Sequence, residues 1–206
     1  MNFTSNPGNW RGGHRILVVL GLLVTFGAVA LPQGQGNVTA AHTPDDRGVF
    51  VVDGITEPLS RWQEALRLVQ SQSPANTSEA VLRTQLLQSM TEGFAALHEA
   101  QQKGISISDQ EIAAFTEQEK QLVAGQPDLT AQVEHLAQVL GLTVDQFWAR
   151  QQSNYKTDLL IGKLRAQYYD DLGLLSDDQK AAKWMEHLKQ LAAAATVTIL
   201  DPANVQ

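Results

Sequence analysis

The sequence contains no cysteine in its 206 residues. This excludes a disulfide, a thiolate zinc site, an iron–sulfur cluster and a cysteine nucleophile. Positive charge is also scarce, because 15 Lys and Arg stand against 22 Asp and Glu, giving a net charge of −7. Such a surface repels phosphate backbones, so nucleic-acid binding is disfavoured, and solubility is the simpler explanation of the charge.

The sequence signatures of common enzymes and metal sites are absent as well. There is no G-x-S-x-G, P-loop or G-x-G-x-x-G motif, and the five histidines form no H-E-x-x-H or H-x-H pair. We therefore expect His98, His135 and His187 to be ordinary surface residues. Asp177 and Asp178 lack the order of a calcium loop and are better explained as acids at a helix start. We predict a non-enzymatic protein with no catalytic residues, no cofactor and no metal.

One apolar run, Ile16–Leu31, lies near the N-terminus and contains a single polar side chain, Thr25. Its helix would be about 24 Å long, whereas a bilayer core needs about 30 Å. The run is therefore either an uncleaved signal anchor or a signal peptide cleaved after Ala30, since Ala28 and Ala30 form a small-x-small pair. A buried core helix is less favoured, because a polar stretch follows at once. The basic residues before the run favour an inside N-terminus and an extracytoplasmic remainder.

These features divide the chain into a signal peptide or signal anchor (1–31), a flexible tether (32–48) and a folded domain (49–206). The domain begins with a β-prone run, Val49–Val52, and only one other convincing strand exists, Thr196–Leu200. Two lone strands at opposite ends of a helical domain would each leave open edges. We therefore predict a small two-stranded sheet in which the C-terminus returns to the start of the domain.

The intervening sequence predicts about six helices, so the fold class is mainly α. The second helix is expected over about 78–103, the fifth over about 143–171, and a short fourth helix stops at Gly141. Four capping boxes of the S/T-x-x-E/Q form mark helix starts. They are Ser60–Gln63, Ser108–Glu111, Thr143–Gln146 and Ser176–Gln179.

With these motifs in order, the domain resembles the N-terminal domain family of SurA-type foldases, which includes PrsA-like and PpiD-like proteins. The stretch Val51–Ile55 followed by Leu59–Trp62 is similar to that family's opening strand, "V-N/D-G" turn and first helix. Lys103–Ile112 resembles its "G-I-x-V-S-D-E-E-I", and Leu140–Phe147 resembles its "x-G-x-T-x-E-E-F". The resemblance covers roughly 49–171 and the terminal strand. It implies a helical chaperone module that binds unfolded chains.

The resemblance also exposes a departure. Members of the family often carry a parvulin prolyl-isomerase domain before the last helix and strand. Here only Leu172–Leu175 separates the fifth helix from the capped sixth helix, which leaves no room for that domain. We therefore expect an exported or membrane-tethered chaperone-like protein without isomerase activity.

The fifth helix carries apolar residues on two sides, which implies two contacts rather than one. The second contact is either intramolecular, which is favoured, or a groove for polypeptide clients. The candidate polypeptide-binding residues are Trp62, Phe147, Trp148, Tyr155, Leu159, Tyr168 and Met185.

The predicted function is ATP-independent binding of non-native exported polypeptides. The partners are then unfolded or partly folded chains, together with the membrane through the N-terminal segment. The location is the extracytoplasmic side of the cell membrane, or the periplasm or exterior if the segment is cleaved. Two alternatives remain: an envelope adaptor or structural protein that binds one specific partner, and a prolyl isomerase with residual activity.

Overall fold

The computed structural model describes residues 47–205, and that range is mainly helical. It contains seven helices and one three-stranded antiparallel sheet. The elements are β1 Gly48–Val52, β2 Ile55–Pro58, α1 Leu59–Gln72, α2 Glu79–Gln102, α3 Asp109–Ala124, α4 Pro127–Val139, α5 Val144–Asp171, α6 Asp177–Ala194, β3 Val197–Ile199 and α7 Pro202–Val205. The predicted signal or anchor over 1–31 lies outside the described residues. So does the predicted tether, except for its last two residues, and Gly48 belongs to β1 instead.

The sheet confirms that the two ends of the domain pair. Strand β1 lies in the middle and pairs antiparallel with β3, with Phe50 opposite Ile199 and Val52 opposite Val197. The Leu200 amide extends this pairing by donating a 2.8 Å hydrogen bond to the Val49 carbonyl. The C-terminal strand is therefore attached to the first strand along its whole length.

The prediction of only two strands is wrong, because β2 forms the other edge of the sheet. Asp53 and Gly54 have φ values of 48° and 85°, and two successive positive φ angles are typical of a type I′ hairpin turn. The turn therefore folds the chain back instead of ending the sheet. Strand β2 was missed because Ile-Thr-Glu-Pro contains one aliphatic side chain and a proline, which is a weak strand pattern.

Helix starts follow the capping signals in three of the four predicted places. The confirmed capping boxes are Ser108–Glu111, Thr143–Gln146 and Ser176–Gln179. The Ser60 box is wrong, because α1 begins at Leu59 directly after β2 and has no side-chain cap. There the Leu59 amide donates to the Arg47 carbonyl at 2.9 Å, so the backbone just before β1 satisfies an amide that a cap would otherwise serve.

Helix α2 is the central element of the fold. It contacts α1, α5, α6 and β1, and five consecutive residues, Gly93–Leu97, are all buried. Around it lies the sheet-side cluster, the larger apolar core, which joins β1, α1, α2, the C-terminal half of α5 and α6. Phe50 lies inside this cluster, with its ring centroid 5.7 Å from that of Trp62 and 5.9 Å from that of Phe94. The sheet is thereby held on the helices by aromatic packing.

A second apolar core, the hairpin-side cluster, lies between the α3–α4 hairpin and the N-terminal half of α5. Its buried residues are Leu68, Ile112, Val123, Leu129, Val133, Leu136, Ala137, Phe147, Trp148 and Tyr155. Leu68 is the contribution of α1. Helices α1 and α5 therefore both take part in the two cores, and α5 contributes Phe147 to one and Leu164 to the other.

Among residues 47–205, no helix combines the length and the apolar character that a membrane crossing requires.

Candidate polypeptide-binding surface

The seven candidate residues are distributed over both cores and the surface. Trp62, Phe147, Trp148 and Tyr155 are buried, Leu159 and Tyr168 are partly buried, and Met185 is 48% exposed. Trp62 and Tyr168 belong to the sheet-side cluster, whereas Phe147, Trp148, Tyr155 and Leu159 belong to the hairpin-side cluster. The structure therefore brings four of the seven together and leaves only Met185 openly available to a partner in this conformation.

The two apolar sides of α5 are explained by its two successive halves. Its C-terminal half packs on α2 and α6, with the rings of Tyr168 and Trp184 separated by 5.7 Å. Its N-terminal half packs under α3 and α4, where the rings of Phe115 and Tyr155 meet edge-on at 4.9 Å. Both apolar sides are thus occupied by intramolecular contacts in the described residues, the favoured of the two expectations.

The buried residues Phe147, Trp148 and Tyr155 form what we call the aromatic face of α5. The rings of Phe147 and Trp148 are 5.8 Å apart at an interplanar angle of 76°. The hairpin covers this face with aliphatic side chains from both of its helices, including Ile112 and Val133. Aromatic side chains offer large apolar areas and would contribute strongly to binding if they were uncovered.

Two carboxyls are buried close to the aromatic face. Glu119 of α3 is only 5% exposed, and no neighbouring charge among the described residues offsets the effect of that burial on its pKa. Asp158 of α5 is partly buried, and its Oδ1 is enclosed without a hydrogen-bond partner. Burial raises the pKa of the Glu119 carboxyl and raises that of Asp158 well above its usual range. Burial therefore makes ionisation of both carboxyls less favourable in this conformation.

Both acids lie close enough to the phenol of Tyr155 to act on it electrostatically. Burial raises its pKa, and the negative charges of Glu119 and Asp158 raise it further. No positively charged side chain of the described residues acts on either carboxyl, for which burial is the only cause of the shift. The α3–α5 contact therefore contains two carboxyls whose burial is not offset by a neighbouring positive charge.

Two ion pairs join α5 to neighbouring helices on either side of Tyr155. Lys163 Nζ lies 2.7 Å from Glu111 Oε1 and donates to the Ser106 carbonyl at 2.9 Å, which ties α5 to the start of α3. The hydrogen bond from Lys163, with those from Ser108, lowers the pKa of Glu111 to about 2. On the N-terminal side of Tyr155, Arg150 forms an ion pair with Glu64 of α1. Burial nevertheless raises the pKa of Glu64 and outweighs the arginine charges.

A histidine pairing that the sequence did not reveal joins α6 to α2. His187 Nε2 lies 2.8 Å from Glu99 Oε2, and its ring stacks on Tyr168 at a centroid separation of 4.6 Å. Burial acts to raise the pKa of Glu99, but hydrogen bonds from Lys103 and His187 leave it below its usual value. The prediction that His187 is an ordinary surface residue is therefore wrong. Glu99 and His187 lie 88 positions apart in the sequence, so no local spacing could have indicated their contact.

Exposed large apolar side chains occur on several separate elements. Leu174 is fully exposed in the loop between α5 and α6, and Met185 projects from α6. Val197 and Leu200 are 41% and 52% exposed at the edge strand β3 and just after it. Scattered exposure of this kind is common in soluble proteins and does not by itself define a site.

In the described range, no three His, Asp or Glu side chains are grouped so that they could hold a metal ion. Comparison with protein-family models, with curated protein sequences and with solved structures finds no match for this chain.

Proposed function

We propose that the chain is an exported, ATP-independent chaperone-like protein that binds non-native polypeptides on the extracytoplasmic side of the membrane. It would be a SurA-type N-terminal domain without an isomerase domain, either anchored by its N-terminal segment or released by cleavage after Ala30. The observation that carries the proposal is the aromatic face of α5, a concentrated apolar surface held under a two-helix hairpin. Binding of many different chains requires such an apolar surface, which recognises composition rather than sequence.

The order of elements supports the same proposal. The motifs quoted for the resemblance fall at the β1–β2 turn, at the α2–α3 connection and at the α4–α5 connection. Strands β1 and β3 close the domain, as the resemblance implies. Helix α5 passes directly to α6 through residues 172–176, where members with an isomerase domain would carry their insertion.

The test is an aggregation assay with the full-length chain and a chemically unfolded client protein that aggregates on dilution. Light scattering should fall as the chain approaches a one-to-one ratio with the client. A matched acidic protein of similar size, without an apolar face, controls for non-specific crowding. Unchanged scattering at equimolar chain would contradict the proposal.

A prolyl-peptide isomerisation assay addresses the enzymatic alternative. We expect the rate with the chain to equal the uncatalysed rate. A pull-down from membranes addresses the adaptor alternative, since a single dominant partner at fixed stoichiometry favours an adaptor over a chaperone.

A further inference from the structure

The α3–α4 hairpin, residues 109–139, is attached to the rest of the domain mainly through α5, with a smaller contact between α4 and α1. It takes no part in the sheet-side cluster, whose buried residues come from the other elements. The hairpin could therefore move without disturbing β1, α2 or the β1–β3 pairing. What it covers is the aromatic face of α5.

The contact between this hairpin and α5 contains two carboxyls, Glu119 and Asp158, whose ionisation would weaken it. Glu119 of α3 is only 5% exposed, and Asp158 of α5 has an enclosed Oδ1 without a hydrogen-bond partner. No charged side chain among residues 47–205 offsets the effect of burial on the pKa of either carboxyl. Burial of an unpaired carboxylate is far more costly than burial of the neutral acid. Two such groups near one tyrosine hydroxyl would also repel each other once both were ionised.

We propose that the α3–α4 hairpin is a pH-sensitive cover, which leaves the aromatic face of α5 when Glu119 and Asp158 ionise, and that the uncovered face receives an apolar segment of a non-native polypeptide. The identity of the partner rests on the proposed function. The movement of the cover is independent of the proposed function.

The direction of the pH dependence follows from the two carboxyls. Their ordinary pKa values are 4.5 and 3.8, and burial under the cover raises both. Closure is therefore fully favoured below the ordinary values and loses that advantage as the pH rises through the higher values of the closed state. Between its two pKa values, each carboxyl shifts the open-to-closed ratio by up to about tenfold per pH unit.

The other titratable groups of this contact do not produce the same effect. Tyr155 of α5 faces both carboxyls and stays neutral, because burial and their charges raise its pKa. Glu111 of α3 faces Lys163 of α5, and its pKa of about 2 means that this ion pair is lost only in strong acid. From α1, α2, α4 and α6, no described charged side chain acts on Glu119 or Asp158. A pH-dependent change that disappears when both acids are neutralised by substitution therefore reports on these two acids.

The absence of cysteine allows the movement to be measured directly in the full-length chain. Gln118→Cys on α3 and Gln152→Cys on α5 place spin labels on two exposed positions across the contact. Pulsed electron paramagnetic resonance should give one short distance at about pH 5 and an additional longer distance at about pH 8. In the Glu119→Gln/Asp158→Asn background, which imitates the protonated acids, the short distance should persist at both pH values.

The matched control is Glu117→Gln, which removes an exposed carboxylate from the same helix. It should behave as the unsubstituted chain does. A distance distribution that does not change with pH would overturn the cover. A change that persists when both buried carboxyls are neutral would overturn their role in it.

The partner is tested with a fluorescent, reduced and carboxymethylated protein that cannot refold, titrated at both pH values. At about pH 8, the spin-labelled chain that keeps both acids should bind the fluorescent probe at least several-fold more tightly than the Glu119→Gln/Asp158→Asn variant does. If the cover moves but affinity is the same for both, the aromatic face is not the binding surface. If the probe binds while the distance stays fixed, the cover is wrong and the proposed function stands.

Discussion

Gly162 offers a sharp test of whether α5 is one continuous helix joining the two cores. It lies inside Val144–Asp171, between Ile161 and Leu164, which are buried in the sheet-side cluster. A Cβ atom at this position would meet no heavy atom within 4 Å, apart from its chain neighbours and the local helix backbone. Gly162→Ala should therefore stabilise the protein without any steric cost.

The size of the effect follows from helix propensity. Alanine is favoured over glycine in a helix interior by about 0.5–1 kcal/mol, chiefly because glycine loses more conformational freedom on folding. For a domain of this size, about 1 kcal/mol corresponds to about 2–4 °C in Tm. We therefore expect Gly162→Ala to raise Tm by about 1–4 °C.

The assay is thermal unfolding followed by circular dichroism, with Gly141→Ala as the matched control. Gly141 also has open space around a Cβ, but its φ of 69° is left-handed. Alanine there should lower stability by about 1–2 kcal/mol. If Gly162→Ala lowers Tm, then α5 is bent or closely packed at this point, and the account of one helix shared by two cores is refuted.

Three further predictions concern the cores and caps. Leu164→Ala should cost about 2–5 kcal/mol in urea unfolding because Leu164 is fully buried, whereas Leu174→Ala in the exposed loop should change stability by less than about 0.5 kcal/mol; equal effects would contradict the assigned core. Trp62→Phe removes the 2.8 Å hydrogen bond from Nε1 to the Asn204 carbonyl and should cost about 2 kcal/mol, so a neutral result in the same assay would show that α7 is not held by this contact. Ser108→Ala should cost about 1 kcal/mol and reduce amide protection at the start of α3 in hydrogen exchange, and unchanged protection would argue against the capping box.

The helices were largely predictable because their boundaries are set by local chemistry. Ser108, Thr143 and Ser176 cap helices at the predicted places, since a capping box depends only on residues three positions apart. The pairing of β1 with β3 was also predictable, because only two segments had clear strand character. Strand β2 was not, since its pairing depends on the Asp53–Gly54 turn and on β1 rather than on its own sequence.

The sequence predicts which residues form the candidate site but not which elements cover them. The aromatic residues of α5 were recognised, but Phe147 and Trp148 lie under the α3–α4 hairpin, and sequence periodicity does not show which element covers a helix face. Glu119 was missed altogether. A glutamate in a helix reads as a solvent-exposed residue, and only the packing of α3 on α5 makes it buried.

The motifs that suggested the family serve mainly as boundary signals in the structure. Gly104 and Gly141 adopt left-handed conformations just after α2 and α4, and Ser108 and Thr143 cap the helices that follow. These motifs support the order of elements. The proposed function depends on the aromatic face of α5, and measuring the binding of a non-native polypeptide tests it.

The most direct test of the proposal is a crosslinking map. A permanently unfolded protein carrying photoreactive benzophenone groups would be bound to the full-length chain at about pH 8, irradiated and analysed by mass spectrometry. We expect crosslinks concentrated on the aromatic face, at Phe147, Trp148 and Tyr155, and lost in the Glu119→Gln/Asp158→Asn variant. Crosslinks confined to exposed positions such as Met185 or Val197, or no crosslinks beyond those formed with the native form of the same protein, would contradict it.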